Sequence, residues 1–428
     1  MCFLCKLLGG GPFIFSQLEL IGFFPGKIYV NMNYRQLFLQ HVAQTSPDPM
    51  GLEMVRAKGI HLYDVNGKEF IDGISGFSVA NIGHSNPKVV KVVQEQVALY
   101  MHLIVYGEFI QQPQVGYAKL LTDHLPPSLN CVFFTNCGAE AVEGAMKLAK
   151  RVTNRSKIIS FNNSYHGSTQ GALSILGDEY WRNAFRPLLP DIYHYDFGSE
   201  ESVLAIDDST ACVILETVQA EAGIIKPSIE WMKALRKKCN QHGVLLIFDE
   251  IQAGFGRTGS LWAFEQYGVV PDVLLLAKAL GGGMPLGAFI ADKKWMDTLS
   301  VDPILGHITT FGGHPVSCAA GMAAFEVLLE ENYISKVKEK EQFMIHHIQH
   351  PAIKAIRVAG LWMAIEFDSF ETNHKVIKNC IKNGLISDWF LFASNCMRIA
   401  PPLSITENEL HKMCSIIVNS IEAAMAKY

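Results

Sequence analysis

At 428 residues and a formal net charge of −5, the chain can fill one large core and a smaller one, and it lacks the basic excess of a nucleic-acid binder. Hydrophobic residues at 49% and charged residues at 18% exclude extensive disorder and fit a globular α/β protein with small-molecule partners. Ten cysteines scattered through apolar stretches point to a reducing cytoplasm, not to a disulfide scaffold.

In chain order, residues 1–31 read as an N-terminal extension without assigned order, ahead of a start at Met32. Gly9-Gly10-Gly11-Pro12, Glu19 and Pro25 interrupt its apolar run, so it is neither a good signal peptide nor a membrane span. Cys2 and Cys5 have C-x-x-C spacing, but no second pair completes a zinc pattern and no metal is expected. Residues 32–72 read as a helix from Tyr34 and a hairpin turning at Asp64-Val65-Asn66-Gly67, forming the N-terminal part of a small domain.

Residues 73–325 are expected to form a large domain, in which strand-like runs alternate with helical patterns. The runs are Cys131 to Thr135, Lys157 to Phe161, Ala211 to Leu215, Val244 to Phe248, Val273 to Leu276 and Leu286 to Ala291. Such alternation predicts a mostly parallel sheet covered by helices, with ligands beyond the carboxyl ends of the strands. Residues 326–428 read as a C-terminal α+β small domain: a helical stretch from Ala324 through Leu329, a region from Val358 to Phe367, and a last helix after Thr406.

Chemistry concentrates at two strand ends. Asp249 and Glu250 follow the run ending at Phe248; taken alone, adjacent carboxylates there are more often a helix cap or a solvated loop than a site, so the context decides. Lys278 lies in Leu275-Leu276-Ala277-Lys278-Ala279-Leu280-Gly281-Gly282-Gly283, where a lysine has little reason to be unless its amine is used. Buried, that amine sheds its charge and becomes a nucleophile for a Schiff base, then a general base. Pyridoxal 5′-phosphate (PLP) chemistry needs such a lysine together with an acid that keeps the pyridine nitrogen protonated, and Asp249 is the matching acid.

The run Asp249-Glu250-Ile251-Gln252-Ala253-Gly254-Phe255-Gly256-Arg257-Thr258-Gly259, with Pro271-Asp272-Val273 and then Lys278, resembles the class III (ω-type) PLP-dependent aminotransferases, the family of acetylornithine, ornithine and 4-aminobutyrate aminotransferases. The resemblance spans about Gly59 to Leu403 and implies PLP-dependent transferase fold type I. It implies that Lys278 carries the cofactor, Asp249 pairs with the ring nitrogen and Gln252 bonds near the phenolic oxygen. It further implies a phosphate cup at Gly138 and Ala139, Tyr165 stacked on the ring, and Glu216 among the cofactor-binding residues. Thr310 would reach the phosphate of a neighbouring subunit, making the protein a homodimer with shared active sites. Arg398 would hold the α-carboxylate of glutamate or 2-oxoglutarate and pair with Glu221 when that carboxylate is absent.

Four positions depart from the family's pattern, two in a loop and two that bear on the amino donor. Thr217 and Ala220 replace a proline and a glycine between the two glutamates. Ser168, and by a looser alignment Pro47, stand where ornithine aminotransferases carry an arginine and a tyrosine for the donor's distal carboxylate. Phe77 and Tyr106 would then line a pocket for a less polar amine. The expected reaction is transfer of an amino group from an ω-amino acid or amine to a 2-oxo acid, 2-oxoglutarate first among candidates, by a ping-pong mechanism. A PLP decarboxylase or aminomutase and a non-catalytic scaffold remain open, whereas Gly281 to Gly283 lack a dinucleotide-binding pattern.

Overall fold

β-branched and aliphatic runs bounded by turn residues become strands because their side chains pack on both faces of a covered sheet. In the computed structural model, which describes residues 33–426, they are β1 (Met54–Lys58), β2 (His61–Asp64), β3 (Glu69–Asp72), β4 (Cys131–Thr135), β5 (Lys157–Phe161), β6 (Ile192–Tyr195), β7 (Thr210–Glu216), β8 (Leu245–Asp249), β9 (Val273–Leu276), β10 (Gly287–Ala291), β11 (Ala355–Val358), β12 (Met363–Glu366), β13 (Leu385–Ile386), β14 (Asp388–Phe390) and β15 (Ala393–Ile399). The extension expected at residues 1–31, with Cys2 and Cys5, lies outside the described residues. Residues 33–53, with a helix at Tyr34–His41, form one compact unit, and residues from Met54 onward form another that carries every strand among the described residues.

Seven strands build the central sheet in the order β4-β10-β9-β8-β7-β5-β6. Only β10 runs antiparallel to its neighbours. The chain between Leu276 and Gly287 is too short for a helical crossover, so it returns directly and pairs Ala288 with Leu276. Strands β7 to β10 are buried throughout.

Helices cover the sheet. Gly138–Thr153 buries Ala141, Val142, Ala145, Leu148 and Ala149, a stripe at three- and four-residue spacing, and ends at Asn154 in the left-handed conformation. Ile229–His242 starts on the Ser228 cap and stops at left-handed Gly243. The helix expected from Ala324 begins earlier, at Pro315, and runs to Glu330. It is buried on most sides through Cys318, Ala319, Ala320, Ala323 and Ala324, so it has no polar face to mark its start. The boundary placed between residues 325 and 326 therefore falls inside this helix.

Two four-stranded sheets complete the second unit, β1-β2-β3-β13 and β11-β12-β15-β14. The turn at Asp64 forms as expected, its carboxylate accepting from the Asn66 and Lys68 N–H groups. The last helix, Glu407–Met425, starts on a Thr406–Glu409 capping box. No helix among the described residues is long and apolar enough to cross a membrane, and no group of metal-ligating side chains there could hold an ion.

Candidate active site

The carboxyl ends of β4, β7, β8 and β9 open on a cavity of about 470 Å³, within the usual size range for small-molecule sites. Lys278, Asp249, Gln252, Glu216, Glu221, Gly138, Ala139 and Tyr165 all line it. Lys278 follows β9 in a left-handed backbone conformation, φ 51°, a strained position for a non-glycine residue. Its Nζ donates to Gln252 Oε1 at 2.8 Å. Burial lowers its pKa from 10.5 to about 8, against the opposing pull of Glu221.

Asp249 ends β8. Its Oδ1 accepts from Ile251 N at 3.0 Å, and its Oδ2 is 2.7 Å from His166 Nδ1. The neighbouring Glu250 turns away from the cavity and accepts from the Ala263 and Phe264 N–H groups, so it is a structural anchor. Glu216, at the end of β7, accepts from Tyr165 N and Ala220 N at 3.0 and 2.9 Å. Burial pushes its pKa up to about 7. Ala220, in place of the expected glycine, still supplies that N–H.

The helix Gly138–Thr153 points its N-terminus at the cavity, and no side chain caps it. Its first N–H groups and dipole suit an anion. A Cβ on Gly138 would come within 2.8 Å of Ile251 Cδ1, so a larger residue here would require that side chain to move. Gly167, at φ 131°, packs where a Cβ would stand 2.6 Å from Ala139 Cβ, which lets the Tyr165–Ser168 turn lie against the same helix start. The Tyr165 hydroxyl is 3.2 Å from Ser168 Oγ.

Behind Glu221 lies Arg398, on β15. Its Nη1 and Nη2 donate to Glu221 Oε1 and Oε2, each at 2.8 Å, in a buried bidentate pair. Burial raises the Glu221 pKa, yet the charge and hydrogen bonds of Arg398 outweigh it and hold the carboxyl below its ordinary value. The Phe77 ring centre is 5.1 Å from the Arg398 guanidinium carbon and that of Phe390 is 4.4 Å away, so aromatic rings flank the cation. Phe77 sits in a short left-handed turn, Ser75–Ser78, tied down by Ser75 Oγ donating to Ala400 O at 2.7 Å.

Phe77 and Arg398 lie behind the cavity wall and do not line it, and two further expected residues stand apart. Thr310 is exposed and does not line the cavity. Tyr106 lines a second cavity of about 310 Å³ with Gln114, Phe133 and Thr309. Sequence reasoning gave no role to His166 or Asp388. The first is a buried histidine next to a tyrosine in a glycine turn; the second is an acid immediately before the apolar run Trp389-Phe390-Leu391-Phe392. Each carries the signal of a polar group among apolar neighbours, costly to bury unless it is paired.

The model of the family described as "Aminotransferase class-III" matches residues 42–421. The chain is 38% identical over 374 residues to an acetylornithine aminotransferase of Methanopyrus kandleri, covering 87% of this chain and 94% of that protein. It is 35% identical over 365 residues to the acetylornithine aminotransferase of Archaeoglobus fulgidus, covering 85% and 94%. The solved ornithine aminotransferase of Toxoplasma gondii, with PLP at partial occupancy in its active site, superposes with a TM-score of 0.84 at 30% identity over 91% of this chain and 94% of that one. A match over most of the chain, joined to a lysine and an aspartate at adjoining strand ends of one cavity, establishes that the chain belongs to the class-III aminotransferase family.

Proposed function

We propose that the protein is a PLP-dependent aminotransferase that takes an amino group from an ω-amino acid or amine of the acetylornithine/ornithine-like donor class and passes it to 2-oxoglutarate by a ping-pong mechanism. The observation that carries this reading is the Arg398–Glu221 pair standing behind a cavity that contains Lys278. A decarboxylase has no evident need of that pair.

The residues present fit the cofactor. The uncapped helix start at Gly138 and Ala139 suits its phosphate, the Asp249 carboxylate its ring nitrogen, and Tyr165 a ring face. Gln252 Nε2 is buried without a hydrogen-bond partner, a donor free to meet an oxygen of the cofactor. When bound, PLP supplies an electron sink that acidifies the carbon bearing the substrate's nitrogen. Lys278 first holds the cofactor, then, released, moves a proton at that carbon as a neutral amine. Glu216 holds the backbone of Tyr165 and so the turn that frames the ring.

Glu221 acts as the gate. Paired with Arg398 it cancels the cation, and the cavity accepts a donor with no carboxylate beside its amine. Drawn aside, it exposes the guanidinium edge to the α-carboxylate of glutamate or 2-oxoglutarate. The cavity's other walls, with Val79, Val218, Met284 and Ser168, offer no arginine for a distal carboxylate, which supports a less polar donor than ornithine.

We further propose a cytoplasmic homodimer in which Thr310 serves the neighbouring subunit's phosphate site. Its exposure, and the exposed apolar side chains of Ile104, Phe109, Ile110, Ile304 and Ile308, support a partner surface there. The described cysteines are all free thiols, as a reducing compartment requires. Pairing of β3 with β13 supports a small domain formed by the strands before residue 73 together with residues 326–428, set on a large domain at 73–325. A direct test of the reaction is to supply the protein with PLP and screen amines by loss of the cofactor's visible absorbance, with 2-oxoglutarate added to restore it. A donor that bleaches the band reversibly supports the reading, and release of carbon dioxide contradicts it.

A further inference from the structure

The Arg398 guanidinium has a second carboxylate. Asp388 Oδ1 lies 3.1 Å from Arg398 Nε, on the edge opposite the one given to Glu221. The contact is an ion pair without the alignment of a hydrogen bond: both atoms lack a hydrogen-bond partner although both are buried. The register of β14 with β15 sets Asp388 directly across from Arg398. The residues that follow complete a seat. The Trp389 carbonyl accepts from Nη2 at 3.0 Å and the Phe390 ring flanks the cation. Leu391 N donates to Glu221 Oε2 at 2.9 Å and Phe392 N to the Glu221 carbonyl at 3.0 Å.

The segment 388–392 thus touches the cation on three sides and also holds its partner Glu221. The consequence appears when Glu221 leaves. Arg398 is almost wholly buried, and a lone guanidinium there would carry the full cost of an uncompensated charge. Asp388 and the Trp389 carbonyl do not face the cavity and can remain in place. They leave the Nη1/Nη2 edge as the face for an incoming carboxylate.

We propose that Asp388 is the resident counter-ion of Arg398, a positioning residue that keeps the guanidinium neutralised and aimed while Glu221 and the substrate's α-carboxylate exchange on its other edge. This rests on the reading of Arg398 as carboxylate receptor. Asp388 acts through its charge, and that charge is titratable: burial pushes its pKa up to about 6, opposed by Arg398 and reinforced by Glu221. The charged groups acting on it are Arg398 of β15, Glu221 of the loop after β7, and Asp72 at the end of β3.

The test uses the PLP-loaded enzyme and follows the bleaching half-reaction with L-glutamate and with L-alanine, both bearing an α-carboxylate, in wild type, Asp388→Asn and Arg398→Gln. At pH 8, Asp388→Asn should raise the half-saturating concentration of both about tenfold, with a much smaller change in the saturated rate. The variant-to-wild-type ratio should fall toward one as pH drops below about 6, where the wild-type carboxyl is itself protonated; a merely structural role would leave the ratio flat. A ratio near one at pH 8, or one that does not change with pH, overturns the proposal. If Arg398→Gln reacts as well as wild type, the receptor reading fails first; if it is impaired while Asp388→Asn is not, only the role of Asp388 falls.

Discussion

Burial makes the Lys278 amine easier to neutralise than an exposed lysine. Its folded pKa, about 8, lies below the ordinary 10.5, so folding disfavours the ammonium form. That penalty is full below about pH 8 and disappears as pH approaches 10.5. PLP-free Lys278→Met should therefore melt at or above the wild-type temperature at pH 7, with the difference shrinking as pH rises toward 10. The same variant should have no transaminase turnover with any donor. PLP uptake by the wild-type apoprotein should accelerate through pH 8, which stopped-flow absorbance can follow.

Glu221 tests the gate at the same scale. Glu221→Gln keeps the shape but not the charge, leaving Arg398 uncancelled on its cavity side. The half-saturating concentration of glutamate should fall severalfold, while amines without an adjacent carboxylate should react more slowly. Equal losses for both substrate types would show that the glutamate only supports the fold.

Among the elements, the turn Tyr165–Ser168 carries the most constraint for its length. Gly167→Ala would force a Cβ against Ala139 at the helix start and oppose a positive φ, costing about 1–3 kcal/mol and displacing the Tyr165 ring. Loss of PLP affinity in an otherwise folded protein, by equilibrium dialysis and circular dichroism, is the expected result. His166 acts next door: His166→Ala would leave the buried Asp249 Oδ2 without its partner, and both PLP affinity and turnover should drop.

Elements also mark where the sequence was legible. β5, β7, β8 and β9 are buried on both faces, so each reads as an apolar run with turn residues at its ends, and the expected strands coincide with them within a residue. The edge strand β6, Ile192–Tyr195, is half exposed and interleaves polar residues, so it offered no such run. The direction of β10 could not be read from its composition, because direction is decided by the short return from Leu276. The cavity's lysine and aspartate were legible through a dense motif. Asp388 was not, because its importance comes from pairing across two strands with a residue ten positions later, a contact that no local pattern displays.

At the scale of the molecule, the exposed apolar side chains around Ile110 and Ile304, 95% and 78% exposed, are the surface to test for self-association. Under the proposed homodimer, Ile304→Glu should shift the protein toward monomers in sedimentation and lower activity per chain, since Thr310 would no longer reach a neighbour. A monomeric variant with full activity would show that each chain completes its own site.

Lys278, Asp249 and Arg398 are proposed to run an amino-transfer half-reaction together. The most direct measurement is the visible spectrum of the PLP-loaded protein while L-glutamate alone is added. Bleaching to the pyridoxamine form, reversed by 2-oxoglutarate, is the predicted result. A cofactor band that persists unchanged at saturating glutamate would contradict it.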